Sequence, residues 1–196
     1  MVTIGLASCK TKQVSKASID DIGYIAEFQQ YMLNEINFVR SHPAVYAELR
    51  LIENKNRLTD NGSYEYLMRI IPSGTLTINN ILQRSALKYA NLLAQKQLFS
   101  SDADGTPYSR ALRNDYPGKL VAENIAAYSE KEFDAKLDPR TAAVNFVKLL
   151  IIDKSVSNFG HRITLLNPEF TTVGIGYCQD TTGRHVNYIV QDFGDF

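Results

Sequence analysis

Three residues of the chain supply the side-chain types of a hydrolase triad: Ser101, Glu123 and His161. In such a triad the imidazole takes the proton of the serine hydroxyl, and the acid orients the imidazole. Ser101 lacks the Gly-x-Ser-x-Gly context of a nucleophile elbow, and no oxyanion hole can be named. Catalysis would require Ser101 Oγ to lie within about 4 Å of His161 Nε2.

A different chemistry is indicated at Cys9, one of two cysteines. The segment Leu6-Ala7-Ser8-Cys9 resembles a bacterial lipobox, in which the cysteine becomes lipidated. The residues before Cys9 lack the basic region and the longer apolar region of a complete signal peptide. A lipid anchor and an unstructured leader therefore both stay open. A disulfide to Cys178 would instead require the leader to fold back onto the sheet.

The charge balance excludes some classes of function. The chain has 196 residues, with 21 Lys plus Arg and 21 Asp plus Glu, so its formal net charge is zero. Dedicated nucleic-acid binding is not expected, because it depends on a basic surface that releases counterions from phosphate. No run of about 18 apolar residues is present, so no transmembrane span is predicted.

Helical periodicity dominates the first part of the chain. Residues 1–20 are polar and are interpreted as a tether, and residues 21–196 are predicted to form a single domain. The first predicted helix has an apolar stripe at steps of three and four, formed by Ile25, Phe28, Met32, Ile36 and Val39.

Three more long helices are predicted, in addition to a short helix from Tyr108 to Asn114. One covers residues 44–56 and carries Val45, Leu49 and Ile52 as its apolar positions. Another covers residues 78–98 and is capped by Thr77. The third runs to about Ile152, with Asp138 as its cap and Pro139 in its first turn.

The C-terminal part changes to a period of two. Val173, Ile175 and Tyr177 alternate with small or polar residues, and a second alternating run begins after the turn at residues 180–184. This pattern predicts a β-hairpin. Because helices come first and paired strands last, the fold class is predicted to be α+β with a central antiparallel sheet.

Four sequence segments, in order and spacing, resemble those of CAP domains (the cysteine-rich secretory, antigen-5 and pathogenesis-related-1 superfamily) of the bacterial secreted or lipoprotein type. They cover about residues 25–194: Asn34–Pro43; the helix through Ala86, Tyr89, Ala90 and Ala94 with the loop at 99–107; Ala122-Glu123-Asn124-Ile125-Ala126; and Gly160-His161-Arg162 with Leu166–Phe170, Val173–Gly176 and Tyr188–Gly194.

The resemblance implies a three-layer α-β-α sandwich with an open cleft. In the family this cleft is lined by two His and two Glu, which bind a divalent metal in some members. Glu123 and His161 match one residue of each type. Ser101 stands at the place of the earlier histidine and Leu149 near that of the second glutamate, so half of the set is missing.

A metal cofactor is not expected with this set. Zinc sites generally use three or four protein ligands, and only His161 and Glu123 remain as candidates. Asp102, Asp104 or Asp153 would have to complete the site. The alternative interpretation is structural, with Glu123 and His161 satisfied by hydrogen bonds in the cleft wall.

Five residues are assigned to the cleft on this basis: Glu123, His161, Ser101, Asp102 and Arg162. Arg162 is expected to pair with Asp153 or another nearby carboxylate. Neither remaining histidine is assigned to the cleft. His42 is interpreted as a packing residue at a helix end, and His185 as an exposed residue at a strand start.

The preferred function is a non-enzymatic binding module, secreted or on the cell surface and lipid-anchored to the bacterial outer membrane if Cys9 is processed. The resemblance suggests a lipid, a sterol or a host protein as the partner, but no single activity transfers across this fold. Two alternatives stay open. One is a hydrolase or metal-dependent enzyme using Glu123, His161 and Ser101, and the other is a structural scaffold of the cell envelope.

Overall fold

A computed structural model of the chain describes residues 19–54, 62–128, 138–154, 156–179 and 187–196. The predicted leader with Cys9, the hairpin turn and His185 lie outside these residues. The helices are α1 (Ile19–Ser41), α2 (Pro43–Tyr46), α3 (Ser63–Leu67), α4 (Asn80–Lys96), α5 (Pro107–Leu112), α6 (Pro139–Ile152) and α7 (Gly160–Leu166). The strands are β1 (Thr77–Ile78), β2 (Val121–Tyr128), β3 (Thr172–Gln179) and β4 (Asn187–Gly194).

The four strands form one sheet in the order β1-β3-β4-β2. The predicted hairpin is present, since β3 and β4 pair antiparallel, and β2 pairs antiparallel with the other edge of β4. The prediction of an antiparallel sheet is corrected by β1, which pairs parallel with β3, so the sheet is mixed. A hairpin requires antiparallel strands, whereas the long connection from β1 to β3 allows either direction.

Helices cover both faces of the sheet and make the predicted α-β-α sandwich. On one face α4 packs against β3 and β4, and on the other α1 and α6 pack together over the sheet. The predicted stripe of α1 is confirmed, because Phe28, Met32, Ile36 and Val39 are fully buried. No helix in the described part of the chain is long and apolar enough to cross a membrane.

Local capping signals place two of the long helices. Asp138 caps α6 as predicted, and its side chain accepts from the backbone N–H groups of Arg140 and Thr141 at 3.1 and 3.0 Å. The cap of α4 is Asn79 rather than Thr77, because the Asn79 side chain accepts from the second and third helical N–H groups. Thr77 is used instead in β1.

In the segment after Pro43, the face that packs into the core is opposite to the predicted one. It continues from α2 as a π-helix (Ala47–Leu51) and a 3-10 turn (Ile52–Asn54). Val45, Leu49 and Ile52 are 49%, 62% and 46% exposed. The buried residues are Pro43, Tyr46, Ala47 and Leu51. Both faces are apolar, so periodicity alone could not choose between them.

Candidate functional site

Glu123 lies on β2, directly opposite Asp192 of β4. Side chains alternate along a strand, and the neighbouring Ile125 packs with Tyr89 of α4, so Glu123 faces α4 as well. Only 2% of the Glu123 side chain is exposed, and its Oε2 forms an ion pair with Arg110 of α5. The predicted cleft residue is therefore buried and engaged by a cation.

Arg110 is the central residue of this cluster and was not predicted from the sequence. Its guanidinium lies over the Tyr89 ring, 3.5 Å from the ring centroid, and donates to the carbonyl oxygens of Ser101 (2.9 Å) and Gly105. Only 3% of its side chain is exposed. One feature of the sequence pointed to it. A helix that begins at Pro107 places Arg110 next to Ala111, and both residues are buried.

Asp192 is the second carboxyl group of the cluster and is fully buried. Burial raises its pKa to about 6, against the lowering effects of Ser85, Arg110 and Glu123. Within the described residues, neither Asp192 oxygen has a partner at hydrogen-bond geometry. Burial, followed by the charge of Asp192, raises the pKa of Glu123 to about 8, and Arg110 opposes this shift. One proton is therefore held by the pair at neutral pH, mainly on Glu123.

His161 begins a separate network at the start of α7. Its Nδ1 lies 2.8 Å from Asp153 Oδ1, and its backbone N–H donates to Asp153 Oδ2 at 2.9 Å. A carboxylate only accepts, so Nδ1 carries the hydrogen of this contact. The His161 side chain is 23% exposed, whereas that of Asp153 is 1% exposed. Asp153 thus orients the imidazole.

Arg162 is a structural anchor for the same helix. It is 2% exposed, and its guanidinium donates to the carbonyl oxygens of Ile151 (2.5 Å) and Ile152 (2.9 Å) at the end of α6. The guanidinium also lies between two rings, 4.6 Å from the Phe159 centroid and 5.3 Å from the Tyr66 centroid. The expected partner Asp153 is reached through the backbone N–H of Arg162, at 3.3 Å.

Ser101 and Asp102 lie on the loop at residues 99–106, and both are exposed. The Ser101 carbonyl accepts from Arg110, and the Asp102 carboxylate accepts from the Ser100 hydroxyl. Arg110 therefore brings Ser101 and Glu123 to one guanidinium. His161 is held instead by Asp153, so the acid in contact with the imidazole differs from the Glu123 of the predicted triad.

A metal does not fit the residues that resemblance assigned to it. Glu123 is paired with Arg110, and His161 Nδ1 is occupied by Asp153. Within the described ranges no three His, Cys, Asp or Glu side chains converge on one point. Asp104 pairs with Arg113 at 2.7 Å in an exposed position, and Leu149 is 45% exposed on α6.

A surface cavity lies on the His161 side of the molecule, beside α3. Its volume is about 410 Å³, and its lining consists of Gly62, Glu65, Tyr66, Arg69 and Ile70. Tyr66 connects it to α7, since the ring contacts Arg162 next to His161. His42 does not line this cavity. Its Nδ1 lies 2.8 Å from the Ser41 hydroxyl, and its ring packs near Phe38.

Comparisons place this architecture among known proteins. Residues 72–193 match the cysteine-rich secretory protein family (CAP). An outer surface protein from Borrelia burgdorferi has a similar structure, 18% identical, with a TM-score of 0.55 over 86% of this chain and 92% of that chain. No curated protein sequence matches the chain significantly.

Two further solved structures share the fold. An extracellular protein with an SCP domain from Bacillus anthracis is 19% identical, with a TM-score of 0.56 over 95% of this chain and 45% of that chain. This chain therefore spans less than half of that relative. NaASP2, solved with Zn2+, is 17% identical, with a TM-score of 0.50 over 96% of this chain and 84% of that chain.

Proposed function

Because the chain belongs to the cysteine-rich secretory protein (CAP) family, we propose that it acts outside the cell as a non-enzymatic binding module. The carrying observation is the Arg110–Glu123 ion pair. Arg110 engages the glutamate that the family resemblance assigns to the cleft, and His161 lies in a different network. A buried carboxyl group that already contacts Arg110 is not accessible to a substrate or a metal ion.

We propose a small apolar ligand, such as a lipid or sterol, in the cavity beside α3. Tyr66 and Ile70 supply apolar surface to the cavity, and Glu65 and Arg69 supply polar groups to its lining. Small-molecule sites typically combine an apolar wall with a few polar groups that fix orientation. CAP homologues among surface and extracellular proteins are consistent with an extracellular ligand.

The test is titration of the full chain with a fluorescent sterol analogue and a fluorescent fatty acid. Saturable binding is expected, and Ile70→Glu should weaken it at least about tenfold, because a buried carboxylate would lose its hydration. Ile71→Glu is the matched control, since Ile71 is 84% exposed and does not line the cavity. Absence of saturable uptake, or equal effects of the two variants, would count against a lipid ligand and favour a host-protein or scaffold role.

A hydrolase is the second candidate, and the Asp153–His161 contact is the observation that favours it. A carboxylate that binds Nδ1 of a histidine is the orienting half of a triad. Ester hydrolysis by the wild type that falls at least about 100-fold in His161→Ala and Asp153→Asn would support it. Activity and metal content unchanged in His161→Ala and Glu123→Ala would remove it.

For location, we propose lipid anchoring at Cys9. The support is the lipobox-like segment and the surface location of a structural relative. Mass spectrometry of the protein from its native membrane is expected to show an acylated Cys9. Cys178 is disulfide-bonded in the structure. A Cys9–Cys178 disulfide in the native material would exclude the anchor, because the same sulfur cannot carry both bonds.

A further inference from the structure

The loop at residues 99–106 is attached to the domain through two buried side chains. The Tyr89 hydroxyl donates to the Ser100 carbonyl at 2.8 Å and accepts from the Ala103 N–H at 3.1 Å. Arg110 donates to the carbonyl oxygens of Ser101 and Gly105. Both side chains bind backbone atoms of the loop, so this attachment does not depend on the loop's own exposed side chains.

The same two side chains reach the buried carboxyl pair. Arg110 lies on the Tyr89 ring and binds Glu123, and Glu123 stands opposite Asp192 in the sheet. One guanidinium therefore joins the loop to the sheet beneath it. If Arg110 moved away from Glu123, its two contacts with the loop would be lost together.

The charges of this cluster do not balance unless a proton is present. Two ionised carboxylates and one guanidinium would leave one uncompensated negative charge in a buried site, which is costly. One proton on the Glu123–Asp192 pair makes the cluster neutral.

We propose that the loop at residues 99–106 is a lid, that Arg110 latches it to the Glu123–Asp192 pair, and that the latch stays closed only while this pair holds one proton. The groups facing the pair are known for each packed element. Ser85 and Tyr89 face the pair from α4, and Arg110 faces it from α5. The neighbouring position on β3 is Gly174, which does not titrate. On the loop, Asp102 is exposed, and its charge raises the pKa of Tyr89.

The sign of the pH dependence follows from burial. The closed form holds its proton more tightly than an open, hydrated form, whose carboxyl groups return toward their ordinary range. Closure is therefore favoured at low and neutral pH and lost as the pH rises through the pKa of Glu123, about 8. The opened loop would present Glu123 to solvent beside Ser101.

Hydrogen exchange of the full chain between pH 6 and pH 9.5, corrected for the intrinsic rate of each amide, tests the latch. In the wild type the opening of residues 99–106 should increase about tenfold for each pH unit up to about 8 and level off above it, because opening releases one proton only while the closed pair still holds it. In Asp192→Asn the single carboxylate already balances Arg110, so the loop should stay closed over the whole range. Amides of α1 should show no such rise.

Two further variants keep the test decisive. Glu123→Gln also leaves one carboxylate with Arg110, so it replaces Asp192→Asn if that variant fails to fold. Asp104→Asn is the matched control, because Asp104 is on the same loop but pairs with exposed Arg113; it should keep the wild-type pH dependence. The latch is wrong if loop exchange in the wild type is independent of pH after correction. It is equally wrong if the folded single-carboxyl variant opens as the wild type does. Neither result bears on ligand binding beside α3.

Discussion

Replacing Arg40 by Met is expected to lower the free energy of unfolding by about 3–5 kcal/mol, the range for removing one member of a buried charged network. Arg40 of α1 is 1% exposed. Its guanidinium donates to four carbonyl oxygens, those of Gly74 (2.7 Å), Leu165 (2.7 Å), Asn167 (3.0 Å) and Phe170 (2.9 Å).

The size of this effect follows from what the substitution leaves behind. Methionine fills much of the space but leaves the four carbonyl groups without their donor, and an unsatisfied buried acceptor costs about 1–3 kcal/mol. Burial lowers the pKa of Arg40 to about 10, so the guanidinium remains charged at neutral pH. Its positive charge also lies at the C-terminal end of α7, where the helix dipole favours a cation.

Urea unfolding followed by circular dichroism measures the loss. Arg84→Met is the matched control, because Arg84 is exposed on α4 and should change stability by less than about 0.5 kcal/mol. An Arg40→Met variant within about 1 kcal/mol of the wild type would show that water replaces the guanidinium as the donor to these carbonyl groups.

The second large effect is expected at Gly176, where α4 lies directly on the sheet. A Cβ at this position would overlap the backbone of Ala86. Overpacking a core costs about 1–3 kcal/mol, and a clash with helix backbone should reach or exceed the upper end of that range. Gly176→Ala is therefore expected to lose at least about 3 kcal/mol or to fail to fold.

Gly23→Ala provides the control with the opposite sign. Gly23 lies in α1, and a Cβ there would meet no other described residue within 4 Å apart from its chain neighbours and the backbone of its own helix. Alanine in the helix interior should raise the free energy of unfolding by about 0.5–1 kcal/mol. Thermal unfolding of both variants gives the comparison. Equal stability of Gly176→Ala and the wild type would mean that α4 can move away from the sheet without loss.

Local signals made several elements predictable. The stripe of α1, the Asp138 cap of α6 and the alternating strands of the hairpin each depend on residues within a few positions of one another. The mixed sheet was not predictable in the same way. The two residues of β1 are too few to show a period, and their partner β3 begins at Thr172, far along the chain.

The same distinction between local signals and long-range contacts applies to the candidate site. The sequence by itself determined that Glu123 and His161 are present, that two other family positions are occupied by Ser101 and Leu149, and that the chain resembles CAP domains. These are identities and spacings along the chain, which need no partner to be recognised.

Only the tertiary structure decided what these residues contact. Glu123 contacts Arg110 and lies opposite Asp192 in the sheet. The imidazole of His161 contacts the carboxylate of Asp153. These contacts depend on strand register and on the packing of α4, α5 and α7, which bring together residues from distant parts of the sequence. A carboxylate shows its charge in the sequence, but burial and neighbours decide whether it binds, catalyses or holds a proton.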